Sequence, residues 1–390
     1  MNILLIGNGF DLAHGLPTKY TDFLDFVFVI KQLINAKKSN DELSKLNIDS
    51  SFKKLNINIQ SRIRYHFETK TFADNYIELW HKVIFNNIWI EYFLGNSNKL
   101  KENWIDFEKE IYFVISKLEQ EIKEAPFSVY STLCESNVEC DNSTRNLNII
   151  PRTYKNKLGK VAEHMEYNLD LFVKELENDL ERLIFALELY ISDFVNEIKP
   201  KKYSLDIKDL PINKVISFNY SSTFENVYKK NNNDNNQVIY DYIHGQANKH
   251  SDYEENNLVL GINEYLPDNE KNKNIRFIRF KKFFQRIHKE TSSHYINWLE
   301  RTKTHPYAKH YLYIFGHSLD DTDGDILRSL ILNDDIITTI FYHNREAYAQ
   351  QIANLVKVIG QDELIKRTGG SNKTIIFKKQ SEMIEITSNK

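Results

Sequence analysis

Cysteine is nearly absent from this 390-residue chain. The two present, Cys134 and Cys140, lie in a polar stretch, and no C-x-x-C pair occurs. A zinc module needs four ligands at close spacing, so none is built on cysteine here. Both read as free thiols in a reducing compartment. Long apolar runs are missing too. The apolar start, Ile3 to Ile6, is too short for a secretory leader, and no later run reaches bilayer length. The third absence is a dominant charge. The 51 Lys and Arg against 54 Asp and Glu leave a net −3, so no basic field draws the chain to nucleic acid. Together these absences predict a soluble, cytoplasmic protein with neither a membrane nor a nucleic-acid partner.

Apolar and aromatic residues are plentiful. At 41% hydrophobic and 13% aromatic, the chain can build a core for one large or two intertwined domains. The most telling stretch is the first twenty residues. Ile3, Leu4, Leu5 and Ile6 are uniformly apolar, as a buried parallel strand requires. Gly7 and Gly9 follow, where the chain must turn sharply and admit something close to its backbone. A strand ending in G-x-G in an open α/β sheet presents backbone N–H groups at the carboxyl edge, where nucleotides bind. The third glycine of the dinucleotide fingerprint is missing, with Leu12 in its place.

Residues 18–200 read almost wholly as helix. Residues 21–36 and 74–93 carry apolar side chains at helical spacing, and Trp104, Phe107, Ile111 and Ile115 recur at threes and fours. Trp104 and Glu108 share a face, with Glu108 read as a solvated or salt-bridged glutamate. The longest stripe, from Leu169 through Phe172, Leu176, Leu180 and Leu183 to Leu187, suits a packed core or a dimer face, which leaves room for a homo-oligomer. Residues 134–157 and the tract 231–236 are polar, and the tract reads as a solvated loop. Lys229 with Lys230, and Arg279 with Lys281 and Lys282, read as solvated charges.

Strand-like runs return at 214–218, 238–243, 258–260, 310–315, 336–342 and 374–377. Helical segments near 222–229, 277–301, 322–333 and 345–358 alternate with them. This alternation predicts an α/β fold with a doubly wound, mostly parallel, Rossmann-like sheet. Residues 1–20 and 210–390 would form that nucleotide-binding domain, and 21–209 a large helical insertion.

Chemistry-bearing residues cluster where strands end. Asn219 follows the run 214–218; it suits a turn bonding its own backbone, or a polar group facing the same edge as Gly7 and Gly9. His244 ends the run 238–243 and precedes Gly245. An imidazole, with its ordinary pKa of about 6.5, can take and return a proton near neutrality. A core histidine bonded to a carbonyl is the plainer alternative. After 310–315 comes Gly316-His317-Ser318-Leu319-Asp320-Asp321. Asp320 and Asp321 could bond ribose hydroxyls or cap the helix beginning near Asp323. G-H-S-L breaks the G-x-S-x-G nucleophile elbow, because Asp320 stands in the fifth place. Asp11 could cap a helix or reach a ribose, and His14 could line the pocket.

Residues 7–20 resemble the first sirtuin motif, G-A-G-I-S-x-x-x-G-I-P-D-F-R, with Gly7, Gly9, Gly15 and Pro17 coinciding. Asp11 replaces a serine, and Thr18 and Tyr20 replace the acid and the arginine. Ser217 to Ser221 resembles the sirtuin T-Q-N-I-D, and His244-Gly245 the sirtuin H-G. Ser221 stands where that family has aspartate. The run N-G-F-D-L-A-H-G-L-P-T-K-Y-T-D-F-L resembles the signature of the bacteriophage abortive-infection family AbiH. The AbiH resemblance implies defence against phage. The sirtuin resemblance implies a sirtuin-like fold that takes NAD as substrate, without metal, and releases nicotinamide and ADP-ribose. It makes Asn219 and His244 catalytic, and places Gly7, Gly9, Asp11, His14, Gly316, Ser318 and Asp320 around the bound nucleotide. A phage-derived trigger would start the reaction. Two other readings stand beside it: a nucleotide-binding sensor that engages a phage or host partner without turnover, and a metal-dependent nuclease using Asp11, Asp320 and Asp321.

Overall fold

The computed structural model describes residues 1–38, 49–68, 73–100, 106–124, 169–228, 238–249, 253–264, 266–291, 293–304 and 310–386. Cys134, Cys140, Trp104, the polar stretch 134–157, the asparagine tract 231–236, and Lys229 with Lys230 lie outside the described residues. The chain divides into two compact units. One comprises Met1–Lys19, Ile191–Val259 and Arg286–Lys390; the other comprises Tyr20–Tyr190 and Leu260–Gln285.

The first unit is built on a sheet. In chain order the strands are β1 (Asn2–Ile6), β2 (Lys202–Ser204), β3 (Lys214–Ser217), β4 (Ile239–Tyr242), β5 (His310–Phe315), β6 (Ile336–Tyr342), β7 (Ile375–Lys379) and β8 (Met383–Glu385). Six of them form one sheet in the order β4-β3-β1-β5-β6-β7, every neighbouring pair parallel. β2 and β8 pair antiparallel as a separate ribbon. The architecture is α/β and Rossmann-like, as the alternation of strand and helix predicts.

The uniform apolarity of β1 follows from its place. Paired strands on either side leave it no solvated edge: Leu5 pairs with Ile216 of β3 and with Ile314 of β5. Both faces are covered as well. Ile3 and Leu5 pack in one cluster with Ile314, Ile340 and Leu355. Leu4 and Ile6, pointing the other way, pack with Phe10, Phe315 and Phe341. From β1 the chain builds outward through β3 and β4 on one side, then crosses back to β5 and builds outward through β6 and β7 on the other. The strand order therefore reverses between β1 and β5. In open α/β sheets that crevice, at the carboxyl ends, is where ligands bind.

Two sequence expectations are corrected here. Residues 258–260 are buried but form no strand. Their backbone is satisfied locally: Val259 N donates to His244 O at 2.9 Å, and Leu260 N donates to the Gln285 side chain at 3.0 Å. Apolar residues bonded this way need no ladder. The segment 277–301 is not one helix but a short 3-10 turn, Ile278–Phe280, followed by helices Lys282–His288 and His294–Thr304.

The second unit is helical. Its helices include Tyr20–Lys38, Ile57–Glu68, Ala73–Ile84, Ile88–Leu100, Phe107–Glu124 and Leu169–Tyr190. Stacked and edge-on aromatics fill its core: Phe107 stacks on Tyr20 at 4.2 Å and on Phe93 at 4.1 Å, and Phe26 meets Trp80 at 5.3 Å. The run 74–93 is broken at Phe85–Asn87, where Asn86 takes a positive φ of 50°. The break is stitched from Leu169–Tyr190. Asp179 accepts from Ile88 N at 2.8 Å, and Arg182 donates to the carbonyls of Lys82, Phe85 and Asn86. Lys281 and Lys282 correct another expectation, for each is only 2% exposed. Lys281 pairs with Glu264 at 2.7 Å and Lys282 with Glu108 at 2.8 Å. Glutamates supplied by this unit replace the water that a lysine normally keeps. Among the described residues no helix is long and apolar enough to cross a membrane.

Candidate functional site at the carboxyl edge of the sheet

Four connections meet at this edge, following β1, β3, β4 and β5. The first and last are locked together by glycine. Gly9 N donates to Gly316 O at 2.8 Å, and Gly7 N to Phe315 O at 3.3 Å. A Cβ on Gly9 would lie 2.8 Å from Gly316 O, and one on Gly7 would lie 2.8 Å from the His317 ring. Gly316 itself has φ +68°, and a Cβ there would fall 2.1 Å from Phe10 N. The G-x-G spacing is thus explained by two backbone turns pressed together at the switch point. Gly9's amide is spent on that contact.

Short helix Asn8–Ala13 follows, and Asp11 faces inward from it. Ser221 Oγ, from the connection after β3, donates to Asp11 Oδ2 at 2.6 Å. Thr223 Oγ1 lies 2.9 Å from Ser221 Oγ. Asp11 Oδ1 is buried and makes no hydrogen bond. Burial raises the Asp11 pKa from its ordinary 3.8 to about 6, against the opposing pull of Ser221, Thr223 and Asn219.

Asn219 stands in the same connection. Its backbone is turned by Ser217, whose Oγ accepts from Asn219 N and donates to Asn219 O, both at 3.1 Å. The side chain does something else. Its Nδ2 donates to Gly7 O at 3.0 Å, while Oδ1 is buried without a partner. The Ser217 hydroxyl, not the Asn219 side chain, thus makes the turn, and the expected bond from Asn219 to its own backbone is not formed.

His244, buried just past β4, brings Nε2 to 3.2 Å from Asp323 Oδ1. The contact is close but does not meet hydrogen-bond geometry. Asp323 Oδ2 lies 3.5 Å from His317 Nε2. Phe218 meets both rings edge-on, with centroids 5.2 Å from His244 and 4.6 Å from His317. The carbonyls of His317 and Ser318 are held by Gln351 at 3.2 Å and Asn354 at 2.9 Å, from helix Arg345–Ile359.

The remaining predicted residues are placed as follows. His14 is buried and its ring is fully engaged: Nδ1 donates to Phe10 O at 2.7 Å, and Nε2 accepts from Tyr228 Oη at 2.8 Å. Tyr228 Oη in turn accepts from Ser204 N at 2.7 Å. Burial holds the His14 pKa below its usual value. Ser318 is exposed at the rim. Asp320 accepts from Thr322 N at 3.3 Å in the helix-cap role. The hydrogen bond from Asp321 to Asp320 raises the Asp321 pKa. Among the described residues no three His, Cys, Asp or Glu side chains are grouped to hold a metal ion, so Asp11, Asp320 and Asp321 do not assemble as a ligand set.

The structure thus brings together Gly7, Gly9, Asp11, Asn219, His244 and Gly316, and adds Ser221, Thr223, His317 and Asp323. In the sequence, Asp323 is legible only as a residue near a helix start. Ser221 is visible there only as a departure from a motif. Nothing in their spacing announces that they meet Asp11 and His244.

A six-stranded parallel sheet flanked by helices, with polar and titratable side chains converging at its switch-point edge, defines a Rossmann-like α/β protein. The family model described as "Bacteriophage abortive infection AbiH" matches residues 3–343. The chain belongs to that family, and membership implies a role in abortive infection, the defence of bacteria against phage. No curated protein and no solved structure matches the chain.

Proposed function

We propose that this protein hydrolyses NAD, or a closely related nucleotide, to nicotinamide and ADP-ribose when phage infection supplies a trigger. One observation carries the reading. His244 and Asn219, from connections after two different strands, stand at one sheet edge beside the switch point, with a buried carboxylate on the histidine.

In this reading the glycosidic bond breaks through an oxocarbenium-like state, and nicotinamide leaves with the bonding pair, which neutralises its pyridinium charge. Water adds to the ribose carbon and yields its proton to His244. Asn219 Oδ1, buried with no hydrogen-bond partner in the protein, accepts from that water or from a ribose hydroxyl. With Gly9's amide already spent on Gly316, phosphate contacts fall to groups on the rim such as Ser318. Depletion of NAD would halt metabolism before phage mature.

The test is nicotinamide release from NAD by purified protein, with and without lysate from infected cells, beside His244→Ala and Asn219→Ala. Release by wild type and a fall of about 10²–10⁴-fold in His244→Ala are expected. NAD binding without release under both conditions would replace hydrolysis with nucleotide sensing. A protein that neither binds nor cleaves NAD sinks both.

A further inference from the structure

We infer that Asp323 is a positioning residue, a carboxylate shared between His317 and His244 that fixes which nitrogen of each ring carries the proton. The inference rests on the catalytic reading of His244. Its plainest alternative is a helix cap, since Asp323 occupies the N-cap position of helix Gly324–Ile331. The side chain makes no capping hydrogen bond. Its two oxygens lie instead 3.2 Å from His244 Nε2 and 3.5 Å from His317 Nε2. All three side chains are buried, and a buried carboxylate is costly unless partnered.

His317 shows how the proton is fixed. Its Nδ1 accepts from Leu319 N at 2.9 Å, so that nitrogen bears a lone pair and the proton belongs on Nε2, facing Asp323. Leu319 reaches this position only with φ +60°, a conformation uncommon for leucine. Gln351 holds the His317 carbonyl from the next helix. Local strain and tertiary contact thus turn the Nε2 of His317 toward the carboxylate. Asp323 Oδ1, 3.2 Å from His244 Nε2, draws the His244 proton onto that nitrogen, so that Nδ1 becomes the basic one. When Nδ1 takes a proton, the adjacent carboxylate stabilises the imidazolium. Phe218, edge-on to both rings, keeps them at a fixed separation.

The experiment is nitrogen NMR of the full chain labelled at histidine, beside turnover measurements on Asp323→Asn and Asp323→Glu. Wild type should show both His244 and His317 as the Nε2–H tautomer at neutral pH. In Asp323→Asn the new amide donates to His244 Nε2 and flips that ring to Nδ1–H, while His317 stays unchanged because Leu319 holds it. Nicotinamide release should then fall about 10²–10⁴-fold in kcat with little change in KM, and Asp323→Glu should recover part of it. His244 found as Nδ1–H in wild type overturns the inference whatever the activity. A flipped tautomer with unchanged turnover overturns the positioning role. Expected tautomers in a wild type that releases no nicotinamide even with lysate from infected cells support the proton arrangement and refute NAD cleavage instead. If Asp323→Asn does not fold, the wild-type spectrum still decides.

Discussion

Replacing Gly316 by alanine tests the account of the glycine motif directly. The residue has φ +68°, and an added Cβ would fall 2.1 Å from Phe10 N, 2.4 Å from Gly9 C and 2.9 Å from Phe10 Cα. These are backbone atoms of the opposing turn, so no rotamer change relieves the clash. The left-handed conformation alone costs an alanine roughly 1–2 kcal/mol. Forcing apart a packed contact adds about 1–3 kcal/mol. The sum, about 2–5 kcal/mol, is a large share of the ~5–15 kcal/mol that holds a typical domain folded. Gly370 supplies the control, because it has φ +72° with nothing within 4 Å of an added Cβ. Gly370→Ala should show the conformational cost only. Urea denaturation of wild type and both variants, followed through the transition of the sheet unit, gives the comparison. Gly316→Ala should shift the midpoint at least twice as far as Gly370→Ala, with unchanged slope. Equal shifts would mean that the turns can part freely, and that the glycines are there for a ligand rather than for each other.

Two further outcomes follow from buried charge. Asp11 binds its proton more tightly folded than unfolded, with a pKa of about 6 against an ordinary 3.8. Its contribution to stability is therefore greatest below the lower value and falls as pH rises through that window, by about 3 kcal/mol in total. Stability measured from pH 3.5 to 7 in wild type and Asp11→Asn should differ by this slope, and parallel curves would refute the raised pKa. In the helical unit, Lys282→Met alone should cost about 3–5 kcal/mol by removing a buried cation that faces the Glu108 carboxylate at 2.8 Å. Adding Glu108→Leu should recover most of the loss, and an undiminished penalty in the double variant, read by thermal unfolding, would count against the pairing.

Much of the sheet is readable because strand and helix leave local marks. Four consecutive apolar residues before Gly7 mean a strand covered on both faces, whatever lies beside it. The amphipathic stripe from Leu169 likewise dictates a helix. Residues 258–260 mislead because burial alone makes a run apolar, while only the hydrogen-bond partners decide whether it joins a ladder. Lys281 and Lys282 mislead for the matching reason. Their glutamate partners are Glu264, seventeen residues before Lys281, and Glu108, far away in the chain, and no local pattern reports either pair.

For the site, the sequence by itself determined which residues stand at strand ends: Gly7, Gly9, Asn219, His244 and Gly316. Side-chain periodicity and turn chemistry are properties of neighbours along the chain, and they are enough for that. Tertiary structure alone decided what those residues touch. It turned the glycines toward one another, closed both nitrogens of His14, set Ser221 on Asp11, and placed Asp323 between two histidines. The physical reason is distance. Hydrogen bonds and charge pairs act over a few ångströms of space, and the parallel sheet brings within that range residues that lie hundreds of positions apart in sequence.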